Sequence, residues 1–173
     1  MRTALLILTT AAFLAGCAPA NTTAQTPAPA AGAEPLPPAS NSVQILSTAR
    51  LAALADSLPP GPLTAHQIAR FDGLSNMIGR RDTSGVNERH ENFADIFVVQ
   101  RGHARLLYGG MVEGEKPSGP GEWRGGTIRN GTEADLRTGD IVVIPAGIPH
   151  QLLLSPGENF YYFVFKVAKP SAR

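Results

Sequence analysis

The feature that most constrains this chain is the run from Gly139 to His150, Gly-Asp-Ile-Val-Val-Ile-Pro-Ala-Gly-Ile-Pro-His. A Gly-Asp turn opens a short apolar strand, and a Pro-x-Gly turn closes it. His150 follows three residues after Gly147, so the turn aims it back over the strand that has just ended, where a pocket can form.

From Leu74 onward, short apolar runs alternate with glycine-rich turns. They cover 74–80, 86–90, 95–100, 104–108, 127–128, 141–144, 151–154 and 160–167. Strands this short and regularly spaced indicate an all-β sandwich or barrel. Before them, Asn41 or Ser42 caps an expected helix over Val43 to Leu58, stopped by Pro59-Pro60-Gly61-Pro62, and a second short helix is expected over Thr64 to Phe71. Residues 111–131 form a long Gly- and Pro-containing connection around Trp123, read as a lid or as an excursion that the Trp pins to the barrel.

A second segment, Glu88 to Gly102, bears on chemistry. Strand alternation puts Glu88 and His90 on one face. Asp95 opens the next strand, which is apolar on both faces and therefore buried. A carboxylate there needs a partner, because a lone buried charge is costly.

Together the two segments resemble the cupin superfamily. Its second motif is Gly, five residues, Pro-x-Gly, two residues, His, three residues, Asn. Gly139, Pro145, Gly147 and His150 match, and Leu154 replaces the Asn. Its first motif is Gly, five residues, His-x-His, three or four residues, Glu, six residues, Gly. His90, Asp95 and Gly102 fall in register, with Glu88 for the first His, Asp95 for the Glu and Asp82 for the leading Gly. The resemblance covers residues 74–167 and implies a jelly-roll β-barrel with a small-molecule pocket at its mouth. It also implies a divalent ion held by Glu88, His90, Asp95 and His150. Two imidazoles and two carboxylates suit Mn, Fe(II), Zn, Ni or Co. Oxygenase, isomerase and decarboxylase chemistry all occur on this fold, which does not choose among them. The architectural alternative is that the turn positions His150 without an ion, and the functional alternative is a non-catalytic module that captures a small molecule or a metal. No catalytic residue is assigned. A third alternative is an interaction protein that forms a homodimer through the segment from Val43 to Phe71.

The N-terminus carries a separate message. Arg2 and the apolar stretch Ala4 to Leu14 are too short for a permanent membrane span. Leu14-Ala15-Gly16-Cys17 resembles the bacterial lipoprotein signal, which makes residues 1–16 a leader and Cys17 the lipidated N-terminus. The alternative is a plain secretory signal cleaved nearby. Cys17 is the single cysteine, so no internal disulfide and no catalytic thiol remain. Ala18 in place of Asp favours the outer membrane, facing the periplasm. Residues 17–42 are rich in Ala, Pro and Thr with Glu34 as their one charge, the composition of an extended tether. Lys and Arg total 15 against 14 Asp and Glu, with no basic run. That balance argues against nucleic acid, and against any attachment to the membrane beyond the lipid anchor.

Overall fold

The computed structural model describes residues 37–170. The expected leader, Cys17 and most of the tether lie outside the described residues. Among the described residues, no helix is long and apolar enough to cross a membrane.

The described residues form one helix and thirteen strands in order: α1 (Thr48–Ser57), β1 (Thr64–Phe71), β2 (Leu74–Arg81), β3 (Glu88–His90), β4 (Phe93–Arg101), β5 (His103–Tyr108), β6 (Met111–Glu113), β7 (Lys116–Gly119), β8 (Glu122–Arg124), β9 (Thr127–Arg129), β10 (Thr132–Arg137), β11 (Ile141–Ile144), β12 (His150–Leu153) and β13 (Phe160–Ala168). Two antiparallel sheets carry the fold. One has the order β1-β2-β13-β4-β11, the other β10-β5-β12-β3-β8-β7, and β6 pairs with β9. This is the all-β architecture expected from the spacing of the strands, in the jelly-roll form that the cupin resemblance implies.

Alternation along β13 explains how the layers assemble. Phe160, Tyr162 and Val164 turn into the core with Phe97 and Val99 of β4, Leu106 of β5 and Leu152 of β12. Tyr161, Phe163 and Phe165 turn the other way, where Leu54, Ala55 and Leu58 of α1 and its C-cap cover them. Each such side chain taken fully out of water contributes about 1.5–3 kcal/mol. The buried reading of β4 holds on both faces: Phe97 enters the inner core, and Val98 packs beneath the helix.

Two expectations at the N-terminal side need correction. The helix starts at Thr48, not Val43, because Ser47 is the residue whose Oγ accepts the Arg50 N–H, at 3.2 Å. Residues 43–46 are not helical, and Gln44 Oε1 accepts from Asn76 Nδ2 at 2.7 Å. The second expected helix is strand β1. It forms a hairpin with β2 in which Phe71 opposes Leu74 across Asp72-Gly73, with Gly73 at φ 68°. Asp-Gly is a strong two-residue hairpin signal, and it overrides the weak helical spacing before it. Packing against β1 also reaches back before Val43, since the Ser40 N–H donates to Arg70 O at 2.7 Å.

The long connection is not a free loop. It contributes β6 to β9, and β8 joins the second sheet beside β3. Trp123 on β8 donates from Nε1 to Glu91 at 2.9 Å, and the Arg89 guanidinium lies 4.9 Å from its ring centre. The pinning role read from the sequence is the observed one.

Candidate metal centre and ligand pocket

The site lies between the two sheets. β3 and β12 are neighbours, with His150 directly opposite Glu88. The Pro-x-Gly turn is tied to β3 by the Gly147 N–H, which donates to His90 O at 2.7 Å. Gly147 has φ 86°, a conformation that disfavours any residue with a Cβ. This turn brings His150 beside His90, with ring centres 5.5 Å apart. From the facing sheet come Asp95 on β4 and Lys166 on β13, which oppose each other in register.

Each imidazole is held from behind. His90 is 2 % exposed, and its Nδ1 lies 2.5 Å from Glu122 Oε2, on the residue directly opposite it in β8. His150 Nδ1 lies 3.1 Å from Ile148 O. With Nδ1 engaged in both rings, Nε2 is the nitrogen that faces the other groups of the site. His90 Nε2 is 3.6 Å from Glu88 Oε2 and 3.3 Å from Asp95 Oδ2, and His150 Nε2 is 3.8 Å from Asp95 Oδ2. One ligand atom each from Glu88, His90 and His150 lies within 4.8 Å of the others. The structure therefore gathers all four residues singled out by the sequence, and three of them, Glu88, His90 and His150, have ligand atoms close enough to share one ion.

The carboxylates already have cationic neighbours. Lys166 Nζ sits 2.9 Å from Asp95 Oδ1 and 3.0 Å from His90 Nε2. It is the partner that a buried Asp95 requires. Glu88 Oε1 lies 2.6 Å from Arg124 Nη1, on the residue opposite it in β8, and 3.4 Å from Arg81 Nη2.

These contacts decide the charge states. Burial pushes Glu88 upward, but hydrogen bonding to His90 and the charges of Arg124 and Arg81 outweigh it, holding the carboxyl well below the usual range. Asp95 moves down too: burial is outweighed by hydrogen bonding to His90 and by the charge of Lys166. Burial also opposes charge on His90. The acceptors Asp95 and Glu88 overcome that and the repulsion of Lys166, raising the ring to about 9. His150 goes the other way, because burial dominates and keeps the ring neutral.

The chemistry of the donor set fits a divalent ion. Two imidazole Nε2 atoms oriented through Nδ1, with a carboxylate beside them, match the ligands such ions take. The Lys166 ammonium and His90 Nε2 lie 3.0 Å apart and both face Asp95, so the ammonium occupies the space that an ion ligated there would need. An ion ligated there displaces the ammonium from His90.

Beside the cluster is a cavity of about 100 Å³. Arg81, Glu88, Asp95, Arg124, His150 and Lys166 line it on the polar side, and Met77, Phe97, Leu152 and Val164 are among its apolar walls. Leu63, Val86 and Arg124 are lining residues that are also exposed, so they mark its mouth.

Four residues of this site were missed in the sequence: Lys166, Glu122, Arg124 and Arg81. Lys166 was detectable, since alternation on β13 puts it on the inward face with Tyr162 and Val164. For Glu122 and Arg124 the signal was fainter. They repeat the two-residue spacing of Glu88 and His90, and only antiparallel pairing of β8 with β3 brings acid to His and Arg to acid. Tyr161 lies on the helix-covered face between Arg80 and Arg101. The tyrosine at the cavity is Tyr162.

No family model and no curated protein matches the chain. Solved structures do resemble it. The Cnp3 cupin domain of Schizosaccharomyces pombe aligns over 66% of this chain and 67% of its own, at 7% identity and a TM-score of 0.50. A cupin 2 conserved barrel domain protein from Rhodopseudomonas palustris aligns over 65% of this chain and 67% of its own, at 18% identity and 0.45. KdgF from Halomonas sp. aligns over 62% and 81%, at 15% identity and 0.45. At 7% identity the likeness to the Cnp3 cupin domain is one of fold alone: the chain folds as a jelly-roll barrel of the cupin kind.

Proposed function

We propose that this is a lipid-anchored periplasmic cupin that binds one divalent ion through Glu88, His90 and His150 and acts on a small molecule in the adjoining cavity. The reaction is of oxygenase, isomerase or decarboxylase type. The observation that carries this reading is the paired fixation of the imidazoles, each held at Nδ1 with Nε2 toward Glu88 and Asp95. The Leu14-Ala15-Gly16-Cys17 sequence supports the anchor.

A bound ion supplies a Lewis acid for a substrate oxygen. The chain's own residues do the rest. Glu122 fixes the ring of His90, and the Ile148 carbonyl fixes that of His150. The Lys166 and Asp95 pair places an ammonium beside His90 on the wall of the cavity, where it can hydrogen-bond a ligand. Met77, Phe97, Leu152 and Val164 exclude water from the apolar side.

Metal content tests the reading. The full-length chain, purified in detergent without chelator, is compared with a His90→Ala/His150→Ala variant. About one ion per chain in the former and none in the latter supports it. No ion after reloading with Mn, Fe(II), Co, Ni and Zn overturns it. That result would favour a second reading, supported by the position of Lys166: a binding module in which the ammonium is the permanent cation of the site. A Cys17→Ser variant that still partitions with membranes would overturn the lipid anchor.

A further inference from the structure

The cavity has one cation more than its fixed anions account for. Arg124 faces Glu88 at 2.6 Å, and Lys166 faces Asp95 at 2.9 Å. Arg81 is left over. Its side chain is only 10 % exposed, yet its hydrogen bonds are one from Nε to the Tyr162 hydroxyl, at 3.1 Å, and a long one from Nη2 to Glu88, at 3.4 Å. Glu88 Oε1 is the same oxygen that Arg124 holds at closer range. A buried guanidinium with five donors and so little negative charge is costly unless something else satisfies it.

Its surroundings hold it in place. A Cβ at Gly85 would come within 2.9 Å of both Cζ and Nη1, so the backbone there lies close against the guanidinium. Tyr162 fixes Nε from the other side. Arg81 lines the cavity, and Arg124 lines it at the exposed rim.

We propose that the pocket takes a small monocarboxylate, with its carboxylate on Arg81 and Arg124 and its carbon chain against Met77, Leu152 and Val164. Guanidinium groups match the two oxygens of a carboxylate. The volume sets the size. A cavity of about 150 Å³ holds the six carbons of benzene, so about 100 Å³ takes about four non-hydrogen atoms. The proposal deepens the function given above and rests on the same cavity, but it does not require the ion. A divalent cation ligated by Glu88 adds positive charge and strengthens the preference for an anion.

The test is calorimetric titration of the detergent-purified full-length chain with acetate and propionate, using acetamide and propionamide as neutral isosteres. It is run on chelator-treated protein and on protein loaded with Mn. Expected is binding of the acids at least tenfold tighter than of the amides. Arg124→Gln should weaken the acids at least tenfold, and Arg81→Gln should do so while the protein remains folded by circular dichroism. If Arg81→Gln unfolds, Arg124→Gln alone decides. Arg105→Gln, on an exposed ion pair with Glu133, should change nothing. Equal affinity for acid and amide, or no binding of the acids in either form, overturns the proposal. The two readings fail separately: acids that bind a chain unable to take up metal overturn only the metal centre, and metal uptake without acid binding overturns only this inference.

Discussion

Lys166 and Asp95 face each other across β13 and β4, and the ammonium reaches past the carboxylate to lie 3.0 Å from His90 Nε2. The chain therefore carries its own monovalent cation among the side chains suited to hold a divalent one. Ion binding and the Lys166 contact compete for His90.

That competition has a measurable consequence. Lys166→Met removes the competing charge, and divalent-ion affinity in a chelator-buffered titration should rise at least tenfold, about 1.4 kcal/mol. Without ion, the same variant leaves Asp95 with His90 and His150 as its remaining partners and should lose about 1–3 kcal/mol in chemical denaturation. Unchanged or weaker ion binding would show that Lys166 does not compete for the site.

Glu122 acts on the ion only through His90. Glu122→Gln keeps a hydrogen-bond acceptor at that position but removes the charge behind the ring. Ion affinity should fall about 10–100-fold, with an unchanged circular dichroism spectrum. Affinity within twofold of the parent would mean that Glu122 does not orient the ring.

The stability of chelator-treated protein should depend on pH through His90. Its folded pKa of about 9 lies above the ordinary value of 6.5. The stabilisation from its charge is therefore complete below about 6.5 and is lost as pH rises through about 9. Glu88 and Asp95 are shifted downward, so theirs is present above the usual carboxylate range and lost on acidification. Urea midpoints from pH 5 to 10 should fall on the alkaline side, and His90→Gln should flatten that fall.

The helix-covered face is separate from the cavity. Leu54→Ala removes a side chain buried against that face, with Tyr161 and Phe163 in its cluster, and should cost about 2–5 kcal/mol in a denaturant titration. Ion uptake by the folded fraction should not change. A loss of uptake would show that α1 supports the site as well as the barrel.

The barrel and most of the candidate centre were legible because two local patterns encode them. Gly139, Pro145, Gly147 and His150 form a strand and turn whose geometry is set within twelve residues. Glu88 and His90 share a face by simple alternation. Other features depended on pairing between distant segments. Glu122 and Arg124 gain their roles only when β8 lies beside β3, and nothing in the sequence near Trp123 names that partner strand. Lys166 was visible as an inward-facing charge on an apolar strand, but its partner stands 71 residues earlier. The misread strand β1 shows the reverse case, in which Asp72-Gly73 was a local signal that outweighed the helical spacing.

The most direct test of the account is to locate the ion. Anomalous diffraction from crystals grown with Co or Mn should place one peak bonded to Glu88, His90 Nε2 and His150 Nε2, with Lys166 Nζ moved off His90. A map with no anomalous peak there, and with Lys166 still within hydrogen-bond distance of His90 and Asp95, would contradict it.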